Sequence, residues 1–253
     1  MQSEMRDHRL SIAPTTDIPA LAESTARLLA TVEAMDEAQL GEPSLLPGWT
    51  RGHVLAHLAR NADGLLNLLT GARTGETIPM YASPEVRDRD IEAGAKHSLA
   101  EHIADLRAGA ARFDAGVAAM TDAAWSVTAA HRLGPLPVAE VPAKRRKEVE
   151  YHHVDLGLPD RYSPADWPAT WVATELSHVA AQFAGNPEVA SIALAPVGGE
   201  VLTTGRSAAT AELTVSGPGH ALLAWLTGRS DGSTLAVLGQ AGTTALPALP
   251  PLG

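Results

Sequence analysis

Two pairs of candidate metal ligands, each spaced four residues apart, constrain the fold of this 253-residue chain more than any other feature. His53 and His57 lie in the segment GWTRGHVLAHLARNADGLLNLL, and Glu148 and His152 lie in KRRKEVEYHHVDLG. Residues four apart share one face of a helix, with Cβ atoms roughly 5–6 Å apart. We therefore expect two helices whose faces meet around one divalent ion. Three protein ligands with an open fourth position are typical of catalytic zinc.

Helix start and stop signals recur throughout the chain up to Gly157. Aromatic residues make up only 4% of the sequence, so the core must consist mainly of Ala, Leu, Val and Ile, and Ala and Leu strongly favour helix. Apolar spacing, Ser/Thr caps, first-turn prolines and terminal glycines mark the boundaries. These signals predict four helical regions: residues 18–35; residues 50–70 with Gly71 as the stop; a third from Ser83-Pro84-Glu85 to about residue 120, divided or bent at a Ser98–Glu101 capping box; and residues 142–156 with Gly157 as the stop.

The character of the sequence changes after this point. Pro164 and Pro168 flank Trp167, which indicates a domain junction. A helix is predicted over residues 169–183, followed by β-like runs at 190–194, 211–215 and 235–238 and a short helix at 220–226. The predicted organisation is therefore a flexible tail at residues 1–15, a four-helix-bundle metal-binding domain at 16–162 and a small α/β domain at 163–253.

Composition and charge exclude several classes of protein. The formal net charge of -10 disfavours nucleic-acid binding, because an acidic chain repels phosphate backbones. The one basic run, residues 144–147, is expected to form a solvated helix face. The sequence has no cysteine, no apolar signal segment at its N-terminus and no stretch near the ~20 apolar residues of a membrane span. We therefore expect a cytoplasmic protein that binds no nucleic acid and no membrane.

The neighbours of the candidate ligands indicate which of them face the bundle interior. His57 is surrounded by apolar residues on its helix, and a buried imidazole needs a polar partner. Glu148 and His152 share a face, so one cation would satisfy all three groups. His53 and Asp155 are candidate outer partners that would orient the ligands. The other histidines are weaker candidates: His153 is rotated away from the Glu148–His152 face, His178 is expected to pack, and His97, His102 and His131 are expected to be exposed.

The segments LLPGWTRGHVLAHLARNADGLLNLL, PMYASPEVRD and RRKEVEYHHVDLG together resemble the mycothiol-dependent maleylpyruvate isomerases of actinobacteria, which belong to the DinB-like metalloenzymes. The resemblance implies a mainly α fold, with a DinB-like up-and-down four-helix bundle followed by a small C-terminal α/β domain. It also implies that His57, Glu148 and His152 bind Zn²⁺ or another divalent metal.

The resemblance further implies a catalytic arginine in the C-terminal module that also contacts the cofactor. The match in this sequence is Arg229, in AWLTGRSDG. A cation at a helix C-terminus is also favourable to the helix dipole, so its position alone has an ordinary explanation. Tyr81 and Arg87, in the PMYASPEVRD segment, are further candidates for the pocket that binds mycothiol and the small-molecule substrate.

The implied activity is the cis–trans isomerisation of maleylpyruvate to fumarylpyruvate, in gentisate-type aromatic catabolism. A thiolate would add to the double bond, the bond would rotate, and elimination would restore the alkene. Metal binding favours the thiolate form of a thiol whose free pKa is about 8.5. Because the chain has no cysteine, any thiol at the metal must be a separate molecule, and the resemblance implies that it is mycothiol.

Other functions remain compatible with the same residues. A mycothiol S-transferase would use the same metal and thiol but would leave the thiol attached to a different electrophile. A non-catalytic metal-binding regulatory module would need neither an open coordination position nor Arg229. A metal-dependent hydrolase is a third alternative, although no second acidic cluster supports it. The residues leave open the identity of the metal, the exact substrate and the oligomeric state.

Overall fold

The fold is mainly α with a small C-terminal α/β part, as predicted. The computed structural model describes residues 13–131, 134–207, 210–239 and 245–251, and most of the predicted tail at residues 1–15 lies outside them. The chain divides into two compact units, Met1–Gly157 and Leu158–Gly253. Among the described residues, no helix has the length and apolar character required to cross a membrane.

Four long helices form a bundle in the first unit: α1 (Asp17–Glu33), α2 (Arg51–Thr74), α4 (Leu99–Ala118) and α6 (Val141–Asp155). Helix α2 packs against both α4 and α6, and α1 packs against the same two helices. The shorter elements are α3 (Pro84–Gly94), α5 (Asp122–Trp125) and an antiparallel pair of two-residue strands, β1 (Thr128–Ala129) and β2 (Leu136–Pro137). Leucine dominates the core, which includes Leu28, Leu55, Leu58, Leu65, Leu68, Leu69 and Phe113.

Local capping explains where most of these helices begin. The Thr50 side chain accepts a hydrogen bond from the backbone N–H of His53, and Ser83 does the same for Val86. Ser98 and Glu101 form the predicted capping box, which confirms that two separate helices, α3 and α4, occupy this region. Each cap satisfies backbone N–H groups that the first helical turn leaves without partners.

The predicted end of α2 at Gly71 is wrong. The helix continues to Thr74 and ends at Gly75, which adopts φ +77°. Gly71 instead lies inside the helix, where a Cβ atom would come within 2.6 Å of the Glu76 carbonyl oxygen. A Cβ on Gly64 would similarly lie 3.1 Å from the Tyr81 ring. These glycines allow the loop after α2 to return along the helix surface.

The second unit contains α7 (Ala169–Phe183), whose bounds match the prediction, and α8 (Gly219–Leu226). Its sheet has the strand order β4-β3-β5-β6, and β3 and β5 pair in parallel whereas the outer pairs are antiparallel. The strands are β3 (Ile192–Pro196), β4 (Leu202–Thr204), β5 (Leu213–Gly217) and β6 (Ala236–Gly239). The sequence did not predict β4, because three residues are too few to establish an alternating pattern.

Two predictions about polar side chains in the bundle are wrong. Arg145, expected on a solvated face, is only 5% exposed and donates to the Asn61 side-chain oxygen at 2.8 Å. His102, expected to be exposed, is buried between α4 and the start of α2. Its Nε2 atom has no hydrogen-bond partner among the described residues. His97 is exposed, as predicted.

The burial of His102 makes the stability of the protein depend on pH. Burial lowers the pKa of His102 from 6.5 to about 4, and nearby His97 acts in the same direction, whereas Asp105, Glu101 and Glu37 oppose the shift. The unfolded chain therefore takes up a proton more readily, so stability falls as the pH drops from 6.5 toward 4. Between pH 7 and pH 5 we expect this histidine alone to reduce the free energy of unfolding by about 2 kcal/mol.

Urea unfolding of the wild-type protein and of His102→Gln at both pH values measures this contribution. The variant should lose about 2 kcal/mol less than the wild type over this interval. An identical pH dependence in the two proteins would contradict the assignment to His102.

Candidate metal centre

His57, Glu148 and His152 converge at one place between α2 and α6. The Nε2 atom of His57 lies 3.1 Å from Oε2 of Glu148 and 3.1 Å from Nε2 of His152. The third edge of this triangle, from His152 Nε2 to Glu148 Oε2, measures 3.5 Å. Tetrahedral zinc with bonds near 2.0–2.2 Å requires ligand atoms about 3.3 Å apart, so the three groups fit a divalent ion.

The helical spacing explains how the three residues meet. Glu148 and His152 lie one turn apart on α6, and α6 packs directly against the part of α2 that carries His57. His57 is 6% exposed, and its ring lies edge-on to that of His152 at a centroid distance of 4.6 Å. The ring of Trp49 lies on another side of His57, at 5.5 Å.

The electrostatic environment keeps His57 and Glu148 in forms that can bind a cation. Burial lowers the pKa of His57 to about 4, so its imidazole is neutral near pH 7 and retains a lone pair. Burial by itself would raise the pKa of Glu148, but hydrogen bonds with His152 and His57 hold it well below its usual value. The Glu148 side chain is therefore a carboxylate. Burial by itself would lower the pKa of His152, but hydrogen bonds with Asp155 and Glu148 raise it, so a metal ion would have to displace a proton there.

Asp155 orients His152 through a short hydrogen bond. Its carboxylate is 1% exposed, and its Oδ2 atom lies 2.9 Å from Nδ1 of His152. A carboxylate at this distance favours the tautomer with the proton on Nδ1, which leaves the Nε2 lone pair directed at His57 and Glu148. The predicted role of Asp155 as an outer partner is thus consistent with its position.

Replacing Asp155 with asparagine should weaken zinc binding about 10–100-fold, the usual loss for an outer partner of a metal ligand. The asparagine side chain carries no negative charge, so it would favour the His152 tautomer with the proton on Nδ1 less strongly than the Asp155 carboxylate does. A titration of the metal-free protein in competition with a chromophoric chelator measures the change. Asp160→Asn, which alters an exposed carboxylate beyond the helix, should bind zinc like the wild type. Equal affinity in Asp155→Asn and wild type would rule out this orienting role.

His53, the other candidate outer partner, lies elsewhere. Its Nδ1 atom is 2.8 Å from the Thr50 hydroxyl, in the cap of α2, and its Nε2 atom is 3.1 Å from the carboxylate of Glu92. His153 is buried on another side of α6, where it contacts the hydroxyl of Thr31, as its rotation away from the face of Glu148 and His152 predicted. His178 lies on α7 beside Glu175 and its side chain is 66% exposed, so the expectation that it packs is wrong.

The three candidate ligands form part of the wall of a cavity of about 840 Å³. This volume is in the upper part of the range for small-molecule sites, roughly 300–1,000 Å³. Tyr81 and Arg87, the two pocket candidates, both line it, as does half-buried His131, which the sequence had suggested would be exposed. The remaining lining residues are Leu46, Trp49, Asn61, Thr77, Pro79, Met80, Ser83, Pro84, Ala130, Asp88 and Lys144.

The charged side chains that line this cavity are balanced, although the protein as a whole is acidic. Arg87 and Lys144 line it and balance the two carboxylates of Asp88 and Glu148. A bound divalent ion would therefore leave the cavity with a net positive charge, which suits an anionic ligand. Burial lowers the pKa of nearby Arg145 to about 10, while the Glu148 charge opposes this shift.

Sequence reasoning missed Asn61 and Lys144 in the wall of this cavity and Arg145 beside it. Helical spacing could have identified all three, because Asn61 follows His57 by four residues, and Lys144 and Arg145 precede Glu148 by four and three. The run of four basic residues concealed this signal, since such runs are usually solvated.

Arg229 follows the C-terminus of α8 in the second unit. Its backbone N–H donates to the Ala224 carbonyl at 2.8 Å, and its Nη1 atom donates to the Thr227 carbonyl at 3.3 Å. These contacts match the ordinary arrangement of a cation near a helix C-terminus. A catalytic or cofactor-binding role for Arg229 remains a prediction.

Comparison with known protein families gives one match in each of the two units of the chain. The profile of the mycothiol maleylpyruvate isomerase N-terminal domain matches residues 21–157, and that of the corresponding C-terminal domain matches residues 166–248. The chain belongs to the mycothiol maleylpyruvate isomerase family. Among curated proteins, no match to the sequence was found.

Two crystal structures of members of this family resemble the chain over most of its length. One is described as the mycothiol-dependent maleylpyruvate isomerase, with 28% sequence identity and a TM-score of 0.80, covering 94% of this chain and 97% of that chain. The other, a histidine-to-alanine mutant described by the same enzyme name, has 27% identity with the same TM-score and coverage.

Proposed function

We propose that this protein is a metal- and mycothiol-dependent isomerase that converts maleylpyruvate to fumarylpyruvate. The observation that carries the proposal is the convergence of His57, Glu148 and His152 in the wall of a large cavity that also contains cationic side chains. Membership of the family and the two similar crystal structures support the same activity. We assign the reaction to gentisate-type aromatic catabolism.

The protein's own residues would have three tasks in this reaction. His57, Glu148 and His152 would hold a divalent ion, proposed to be Zn²⁺, which when bound lowers the pKa of a coordinated thiol. Arg87 and Lys144 would attract the carboxylates of the substrate, whose negative charge matches the net positive charge of the metal-loaded cavity. Arg229 enters the proposal on sequence resemblance alone, as a further cation for charge that develops during the reaction.

The chemistry of the proposed isomerisation is balanced without an oxidant or a reductant. Rotation requires that the carbon–carbon double bond become a single bond, so a nucleophile must add and later leave. The released thiol is unchanged, and the product differs from the substrate only in geometry. The cavity volume of about 840 Å³ is compatible with a thiol and a small dicarboxylate together.

A spectrophotometric assay tests the proposal directly. Purified protein loaded with Zn²⁺ is mixed with mycothiol and maleylpyruvate. The absorbance of maleylpyruvate is followed over time, and NMR identifies the product. We expect fumarylpyruvate to form only when both the metal and the thiol are present. Accumulation of a stable thiol adduct would instead indicate an S-transferase, and no reaction with both components present would exclude the isomerase.

A further inference from the structure

The two histidines of the metal centre differ in what lies behind their rings. His152 has the buried Asp155 carboxylate at its Nδ1 atom. The Nδ1 atom of His57 lies 3.4 Å from Nη2 of Arg87, and no carboxylate oxygen of the described residues contacts that nitrogen. His57 therefore has a hydrogen-bond donor where metal-bound histidines usually have an acceptor.

Metal coordination makes this contact unfavourable. A neutral imidazole that coordinates through Nε2 carries its proton on Nδ1, so Nδ1 becomes a donor. The guanidinium of Arg87 has only donors. Two donors would then face each other at the edge of the cavity, and both would need an acceptor between them.

We propose that a carboxylate of the substrate binds between Arg87 and the Nδ1–H group of His57 and accepts a hydrogen bond from each. This inference rests on the proposed function and specifies where that function's anionic substrate is held. The carboxylate would supply for His57 what Asp155 supplies for His152. Both His57 and Arg87 line the cavity, so a ligand there can reach them.

The other contacts of Arg87 leave it available for this role. Its Nη1 atom pairs at 2.7 Å with Asp88, whose side chain is 67% exposed, and such exposed pairs contribute little. Its guanidinium carbon lies 5.8 Å from the centre of the Tyr81 ring, which supports one side of the group. A fork of parallel N–H donors matches a carboxylate better than a single ammonium does.

Because metal and carboxylate share His57, each should strengthen the binding of the other by the same factor. We choose maleate, a four-carbon cis-dicarboxylate, as the probe, and calorimetry of the zinc-loaded and metal-free proteins as the measurement. In the wild type, zinc should tighten maleate binding about tenfold or more, as expected for a charge-assisted hydrogen bond. This measurement requires neither mycothiol nor turnover.

Three variants identify the residue responsible. In Arg87→Met, maleate binding to the zinc-loaded protein should weaken about tenfold or more, and Arg87→Lys should recover part of the loss. Arg89→Met is the matched control, because Arg89 lies two residues away on α3 with a side chain that is 69% exposed, and it should bind maleate like the wild type. Equal maleate affinity in Arg87→Met and wild type would overturn the proposal.

Histidine resonances provide a second, independent test. In zinc-loaded protein labelled with ¹⁵N-histidine, the Nδ1–H proton of His57 should shift downfield when maleate binds, and through-space contacts with the neighbouring Trp49 ring assign the signal. No shift at saturating maleate would overturn the contact with His57. If maleate binds as expected but maleylpyruvate is not isomerised, the proposed function fails while the carboxylate site stands. If maleylpyruvate is isomerised but Arg87→Met does not change maleate affinity, the carboxylate site fails while the proposed function stands.

Discussion

Replacing His57 with alanine should remove the metal from the protein and lower thiol-dependent isomerisation by more than about a hundredfold, the upper limit for losing only an outer partner. Glu148 and His152 would remain, but two ligands from one helix turn cannot complete the three-ligand arrangement of a catalytic site. Elemental analysis of the purified protein and a titration against a chelator measure the metal, and the maleylpyruvate assay measures activity.

His53→Ala is the matched control, because it alters a histidine one turn earlier on the same helix. His53 belongs to the α2 cap and contacts Glu92, so its loss should reduce stability by about 1 kcal/mol and leave the metal bound. Circular dichroism should show the same helix content in both variants. A full complement of metal in His57→Ala would mean that the ion binds elsewhere in the chain.

Replacing Arg51 with methionine should lower the free energy of unfolding of the first unit by about 3 kcal/mol. Arg51 is the first residue of α2, and its buried guanidinium joins that helix to the end of α6. Its Nε atom donates to the Leu156 carbonyl at 2.7 Å and its Nη2 atom to the Gly157 carbonyl at 3.2 Å. Its Nη1 atom contacts the Gln39 carbonyl and the Glu42 carboxylate.

We expect this loss of stability because the Leu156 and Gly157 carbonyls at the C-terminus of α6 would lose the hydrogen bonds that Arg51 donates. The last turn of any helix leaves carbonyl oxygens without partners inside the helix, and a cation there also interacts favourably with the helix dipole. Methionine preserves much of the apolar stem but cannot donate, so desolvated acceptors would remain. Zinc affinity should also fall, since His152 lies one turn before Leu156.

Chemical denaturation monitored by circular dichroism measures the effect on stability. Arg73→Met is the matched control, because Arg73 lies in the exposed last turn of the same helix, and surface substitutions usually change stability by less than about 0.5 kcal/mol. If Arg51→Met unfolded at the same denaturant concentration as Arg73→Met, the connection between the two helix ends would be energetically unimportant.

Structural features that depend only on nearby residues in the chain were predictable from the sequence. The bounds of α7 and the starts of α3 and α4 were predictable, because caps, prolines and apolar spacing act within a few residues. Helical spacing also indicated that Glu148 and His152 share a face. The end of α2 was placed too early, because Gly71 is a common stop signal in sequence but is needed here for a close contact with the Glu76 carbonyl.

The features that sequence reasoning missed depend on contacts between distant segments. The burial of Arg145 depends on Asn61 on another helix, and the burial of His102 depends on its contact with the start of α2. Similarly, the role of Arg51 depends on carbonyl groups more than 100 residues away in the chain. No local pattern records such partners.

The sequence by itself determined the helices, the small α/β part, the family and the three residues proposed to bind metal, because each has a signature in local spacing or in a short motif. Only the tertiary structure decided that the atoms of the three candidate ligands lie 3.1–3.5 Å apart, that Asp155 rather than His53 contacts one of them, and that Arg87 faces the outer nitrogen of His57. The reason is physical: spacing along a helix fixes the face on which a residue lies, whereas helix packing fixes which faces meet and at what distance.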